Sequence, residues 1–144
     1  MPLLPIAAVI VVIGLAYLLI SPTSASASPD DSGGSSVSGG NLTYDQISDY
    51  ASAAGFGSDV LDTMTAIALA ESSGNPSAVG DLNITPGGSI GLWQINLKAH
   101  PEYTQDELFD PQTNANAAFA VYQSQGLGAW STYNNGAYEQ YTQG

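Results

Sequence analysis

From residue 43 to residue 126 the apolar positions recur mainly at helical rather than strand spacing. Ile47, Tyr50, Ala51 and Ala54 share one face behind a Thr43/Gln46 capping-box pair and ahead of Gly55, which predicts a first helix ending there. Val60, Met64, Ile67, Ala68 and Glu71 form a second stripe, predicting a helix from about Ser58 to Ser72 with Ser58 or Asp59 as N-cap and Gly74 as a left-handed stop. Thr104 with Glu107 predicts a brief capped helix through Phe109. Asp110 then caps another, with Pro111 at its first position and Ala115, Ala118, Phe119 and Tyr122 facing inward until Gly126. Turn-forming residues crowd Asn75-Pro76-Ser77 and the stretch from Gly80 to Gly88, so a long loop is expected there. Ser89 to Asn96 mixes β-favouring residues with a glycine and reads as a short strand or extended turn. Trp130, Tyr133, Tyr138 and Tyr141 flank Asn134-Asn135-Gly136, which reads as a turn between aromatics. The fold class is mainly α, with at most a small extended element and no internal repeat.

Upstream, the pattern changes. Leu3 to Ile20 is an apolar run without charge, long enough at the lower limit to cross a bilayer, and residues 1–20 read as a membrane anchor. A secretory signal peptide is the alternative, because Ala25-Ser26-Ala27 resembles a small-residue cleavage site, although no Lys or Arg precedes the apolar run. Residues 21–40 are chiefly Ser, Gly, Ala and Pro with two aspartates, a composition that cannot bury enough apolar surface to order itself, and they read as a flexible linker. The folded domain is expected over 41–144.

Charge narrows the partners. The formal net charge is -12, with Lys98 as the one Lys or Arg, so the chain lacks the cations that neutralise nucleic-acid phosphates, and nucleic acid is excluded as a partner. Without cysteine there is no disulfide framework or thiolate metal site, and one histidine, His100, cannot build a zinc centre alone, so neither metal nor cofactor is expected. Nothing in the sequence indicates an oligomeric state.

Glu71 is the most informative residue. It closes an apolar helix just before Ser72-Ser73-Gly74, on the same stripe as Met64, Ile67 and Ala68. Partial burial and the carbonyl dipoles of the last helical turn both disfavour its anion and push its pKa upward. A carboxylic acid still protonated near neutral pH is what general acid catalysis at a glycosidic bond requires. The alternative is a helix-end glutamate that simply reaches water.

Three segments extend this reading: Ala70-Glu71-Ser72-Ser73-Gly74-Asn75-Pro76-Ser77-Ala78, Gly91-Leu92-Trp93-Gln94-Ile95 and Thr132-Tyr133-Asn134-Asn135-Gly136. In that order they resemble three motifs of the soluble-lytic-transglycosylase family within the lysozyme superfamily, and Leu108 to Asn114 resembles the family's segment leading into a packing helix. The resemblance covers most of 41–144 and none of the N-terminal segment. It implies a compact lysozyme-like domain that cleaves the β-1,4 bond between N-acetylmuramic acid and N-acetylglucosamine in peptidoglycan. Glu71 matches the family's catalytic glutamate, which protonates the bridging oxygen and then acts as base on the muramic acid C6 hydroxyl, giving a 1,6-anhydro product. The resemblance further implies substrate contacts for Ser72, Gly91, Trp93, Gln94, Tyr133 and Asn134, with the Tyr133 hydroxyl orienting the acid. Trp93 stands where the family often has methionine, and Asn135 replaces a residue that is commonly small, so Trp93 either alters a subsite or fills the core. Asp81 is the only acid in the loop after Glu71, and a turn role outweighs assistance to hydrolysis.

The expected localisation is membrane-anchored with the domain facing the wall, in a bacterial envelope or a phage virion, with secretion after signal cleavage as the alternative. Two other functions stay open: a hydrolytic muramidase of the same superfamily, and a noncatalytic glycan-binding or structural module.

Overall fold

The computed structural model describes residues 39–144. The anchor over 1–20, and the linker up to residue 38, lie outside the described residues. Among those described, no helix is long and apolar enough to cross a membrane.

Helix α1 spans Tyr44–Ala54 and opens on both bonds of the expected capping box. The Gln46 N–H donates to Thr43 Oγ1, and the Thr43 N–H donates to Gln46 Oε1. It closes at Gly55, whose φ of 115° is left-handed. Helix α2 spans Leu61–Ser72 and differs from expectation at both ends. No side chain caps its start, where Val60 holds the N-cap position. The Asp59 carboxylate instead folds back over Gly57, 2.6 Å from where a Cβ there would stand, and the turn closes through Val60 N–H to Gly57 O. At the other end Ser73 takes the C-cap position (φ 54°), its N–H reaching Leu69 O, and Gly74 after it is left-handed as expected (φ 79°). Gly74 answers a second need as well. A Cβ on it would lie 2.4 Å from the Leu42 carbonyl oxygen, where the incoming chain bonds back through Leu42 N–H to Gly74 O at 2.7 Å.

Met64, Thr65, Ala66, Ile67 and Ala68 are all buried, so α2 is wrapped on every side rather than along one stripe. It packs against α1 and against the 3-10 turn Ala137–Tyr141. After it come three two-residue strands, β1 (Val79–Gly80), β2 (Ser89–Ile90) and β3 (Ile95–Asn96), forming an antiparallel sheet in that order with Val79 opposite Ile90 and Ile90 opposite Ile95. The extended reading of 89–96 thus resolves into a hairpin. β1 lies inside the stretch expected to be loop, because two residues carry no alternation to read.

Helix α3 (Gln105–Leu108) keeps its Thr104/Glu107 capping box. Helix α4 (Pro111–Gln125) starts at Asp110, whose carboxylate accepts from Thr113 N–H at 2.8 Å. Ala115 and Ala118 of α4 are buried as expected, whereas Phe119 and Tyr122 are part-buried in an aromatic cluster with Phe56. The chain ends in a 3-10 turn (Leu127–Ala129), helix α5 (Ser131–Asn134) and the 3-10 turn Ala137–Tyr141. The expected turn between aromatics therefore narrows to Asn135-Gly136, with Gly136 left-handed at φ 77°.

Candidate active site

Two tryptophans fix the surroundings of Glu71. Trp93 is wholly buried, so its indole N–H must find an acceptor, and it takes the Met64 carbonyl in the middle of α2 at 2.9 Å. Trp130 repeats the device, donating from Nε1 to the Trp93 carbonyl at 3.0 Å. The hairpin is thereby tied to α2 and the C-terminal segment to the hairpin. Asn114, buried in α4, completes the joint: its Oδ1 accepts from Trp93 N–H, and its Nδ2 donates to the carbonyls of Ile90 and Leu108.

This framework brings Thr132, two residues beyond Trp130, against Glu71 in the last turn of α2. The Thr132 hydroxyl donates to Glu71 Oε1 at 2.7 Å. Glu71 is half-buried, and burial is the chief reason its pKa is raised above the ordinary carboxylate range. The Thr132 hydroxyl and backbone amide pull the other way by bonding the anion, and the charge of Asp81 adds to the rise. The direction matches expectation, with burial as the leading cause.

Glu71 opens onto a cleft of about 310 Å³ whose walls come from the hairpin, the loop before it, α4 and the segment around Trp130. Asp81, Ser89, Gln94, Asn96, His100, Gln125 and Ser131 supply its polar lining beside Glu71. Asp81 does hold a turn, accepting at its carbonyl from Ile84 and Thr85 N–H with φ 57°, but its carboxylate also faces the cleft and accepts from the Ser89 hydroxyl at 2.8 Å. Gln94 adopts φ 49°, a left-handed conformation uncommon outside glycine, and its Nε2 donates to Gly91 O at 3.0 Å. Among the described residues no three His, Cys, Asp or Glu side chains gather as a metal site.

Of the residues expected to touch substrate, the structure brings Gln94 to the cleft with Glu71 and leaves the others elsewhere. Trp93 has no exposed surface and fills the core. Gly91 is buried, and the space of its missing Cβ is taken by Asn114 Nδ2 at 2.2 Å and Leu108 O at 2.5 Å, so packing rather than ligand approach requires the glycine. The Ser72 hydroxyl bonds Ala68 O one turn back in its own helix, at 2.9 Å. Tyr133 packs against Tyr138 with ring centroids 5.1 Å apart, and the hydroxyl on Glu71 belongs to its neighbour Thr132. Asn134 is exposed and donates to Gly128 O. Thr132, Ser89, Asn96 and His100 were missed. Each is a polar residue in a loop or at an element end, where no periodicity marks the facing direction.

Residues 48–132, more than half of the chain, match the family model described as a lysozyme like domain. No curated protein matches the chain.

Proposed function

The chain belongs to the lysozyme-like domain family, of the soluble-lytic-transglycosylase type and peptidoglycan-acting, and from that membership we propose that it is a peptidoglycan lytic transglycosylase with Glu71 as its single catalytic acid. The observation that carries the reading is the state of Glu71: half-buried at a helix end, opening onto a cleft, oriented by the Thr132 hydroxyl and biased toward its protonated form. In the first step the Glu71 proton passes to the bridging oxygen as the C1–O bond breaks. In the second, the Glu71 carboxylate takes the proton of the muramic acid C6 hydroxyl while that oxygen bonds C1. The acid is regenerated, water is not consumed, and the product ends in 1,6-anhydromuramic acid. Gln94 lines the cleft beside the acid from a left-handed turn, its amide nitrogen held by the carbonyls of Gly91 and Ala78.

One observation favours a second reading, a hydrolytic muramidase. Asp81 faces the same cleft as Glu71, and its carboxylate is held by Ser89. Two carboxylates facing one site is the arrangement hydrolysis uses, with the second serving as nucleophile or directing water. Mass spectrometry of the muropeptides released from peptidoglycan separates the two. Anhydromuramic ends are expected. Reducing ends from the unmodified protein, lost in Asp81→Asn, would establish the hydrolase instead. The proposal places the domain facing the wall, held there through residues 1–20 in a bacterial envelope or a phage virion. Its test is membrane fractionation of the full chain and of a chain lacking 1–20.

A further inference from the structure

The chain holds one lysine and one histidine against thirteen Asp and Glu, and the two cation-capable side chains stand two residues apart, Lys98 and His100. They lie on one turn at the rim of the cleft, where Asn96, Ala99 and His100 line the wall. That turn is rigidly built. Asn96 Oδ1 accepts from the N–H groups of Lys98 and Ala99 at 3.1 Å, and the Asn96 carbonyl accepts from Ala99 and His100 N–H. His100 Nδ1 is engaged by the Glu102 carboxylate at 3.0 Å, which fixes the ring at the cleft wall. Lys98 is exposed and makes no ion pair among the described residues. Two acids, Glu71 and Asp81, also line this cleft. Glu102, exposed beside this turn, is engaged with His100, so Lys98 is the cation there with no ion pair among the described residues, and an anionic group on the substrate is disfavoured beside Glu71 and Asp81 and favoured at Lys98.

We propose that the Asn96–His100 turn is the subsite for the carboxylates of the peptide stems carried by the glycan, with Lys98 as the receiving group. The inference rests on the peptidoglycan reading above. It gives a strongly acidic domain a place for an acidic polymer, and it fixes which part of the substrate lies away from Glu71.

The test compares soluble peptide-bearing glycan strands with the same strands after their stem carboxylates have been converted to amides. For the full chain, kcat/KM is higher on the free-carboxylate strands at low salt, and this preference shrinks as salt is added. Lys98→Gln lowers the ratio of the two kcat/KM values about threefold, and the charge reversal Lys98→Glu lowers it about tenfold, as expected for a charge pair at a partly exposed site. Because Lys98 is exposed, its substitution leaves folding intact. A ratio near one for the unmodified chain, or a ratio unmoved by either variant, overturns the subsite. If neither strand is cleaved, the catalytic reading falls by itself, and sedimentation of the chain with the two kinds of strand decides the subsite by the same affinity ratio.

Discussion

Helix α2 carries two carboxylic acids in opposite environments. Asp62, in its first turn, receives the Tyr44 hydroxyl and the Gln143 N–H on one oxygen, with the Gly144 amide nearby. These donors, the tyrosine first, hold its pKa below the ordinary value. Glu71, in the last turn, also receives a hydroxyl and an amide, both from Thr132, yet burial outweighs them and its pKa is raised. Donor contact alone therefore does not decide the state of an acid here. Asp62 clasps the C-terminal residues onto the helix from an open position, so its anion is cheap to keep. Glu71 sits where water is partly excluded and a second carboxylate adds its field. One acid secures the fold, and the other is the one that the proposed reaction draws its proton from.

The largest expected effect tests that division directly. Glu71→Gln keeps the Thr132 contact through the amide oxygen but cannot donate the proton, so product release falls by about 10²–10⁴-fold. Asp62→Asn, remote from the cleft, leaves product release within about threefold once the protein is folded. Muropeptide release by the two purified variants is the measurement. Comparable losses in both would erase the distinction between the acids.

A smaller effect appears in stability, with opposite signs. The folded pKa of Asp62 is depressed, so its contribution is present above its unfolded pKa, about 3.9, and is lost as pH falls through the lower folded value. Asp62→Asn therefore destabilises the domain near neutral pH and does so progressively less in acid. The folded pKa of Glu71 is raised, so the wild-type domain is most favoured below the unfolded value, about 4.3, and loses that advantage as pH rises through the folded one. Glu71→Gln is accordingly more stable than wild type at neutral pH, and the gain disappears toward pH 4. Urea unfolding at pH 4 and pH 7 reads both signs. A Glu71→Gln gain independent of pH would detach its stability effect from ionisation.

The same contrast explains what could be read in advance. Repeating patterns were legible: both capping boxes, the Asp110-Pro111 start of α4 and the buried Met64, Ile67 and Ala68 stand as the spacing predicts. So was Glu71, because an acid on an apolar stripe breaks a pattern. Long-range bonds were not. Nothing local distinguishes the buried Asn114, which joins the hairpin to α4, from the exposed Asn116 two residues later. Burial also reversed motif-based roles, since Trp93 and Gly91 occupy the expected segment yet serve Met64 and Asn114 from inside the core. A motif marks the neighbourhood of a site, and only packing says which of its side chains emerge.

The finest test concerns the opposed influences on Glu71. The Thr132 hydroxyl bonds the anion and so lowers the pKa, while the Asp81 charge disfavours the anion and so raises it. Thr132→Val removes the donor with little change of shape, which pushes the Glu71 pKa further up. Asp81→Asn removes the neighbouring charge, which brings it down. Because the proposed reaction begins with Glu71 protonated, activity is expected to fail as pH rises through that pKa. The alkaline limb of kcat/KM on soluble strands therefore moves to higher pH in Thr132→Val and to lower pH in Asp81→Asn, with the double variant between them. Shifts in one common direction would mean that the limb reports a group other than Glu71. An unmoved limb in Asp81→Asn would mean that its charge does not reach the acid across the cleft.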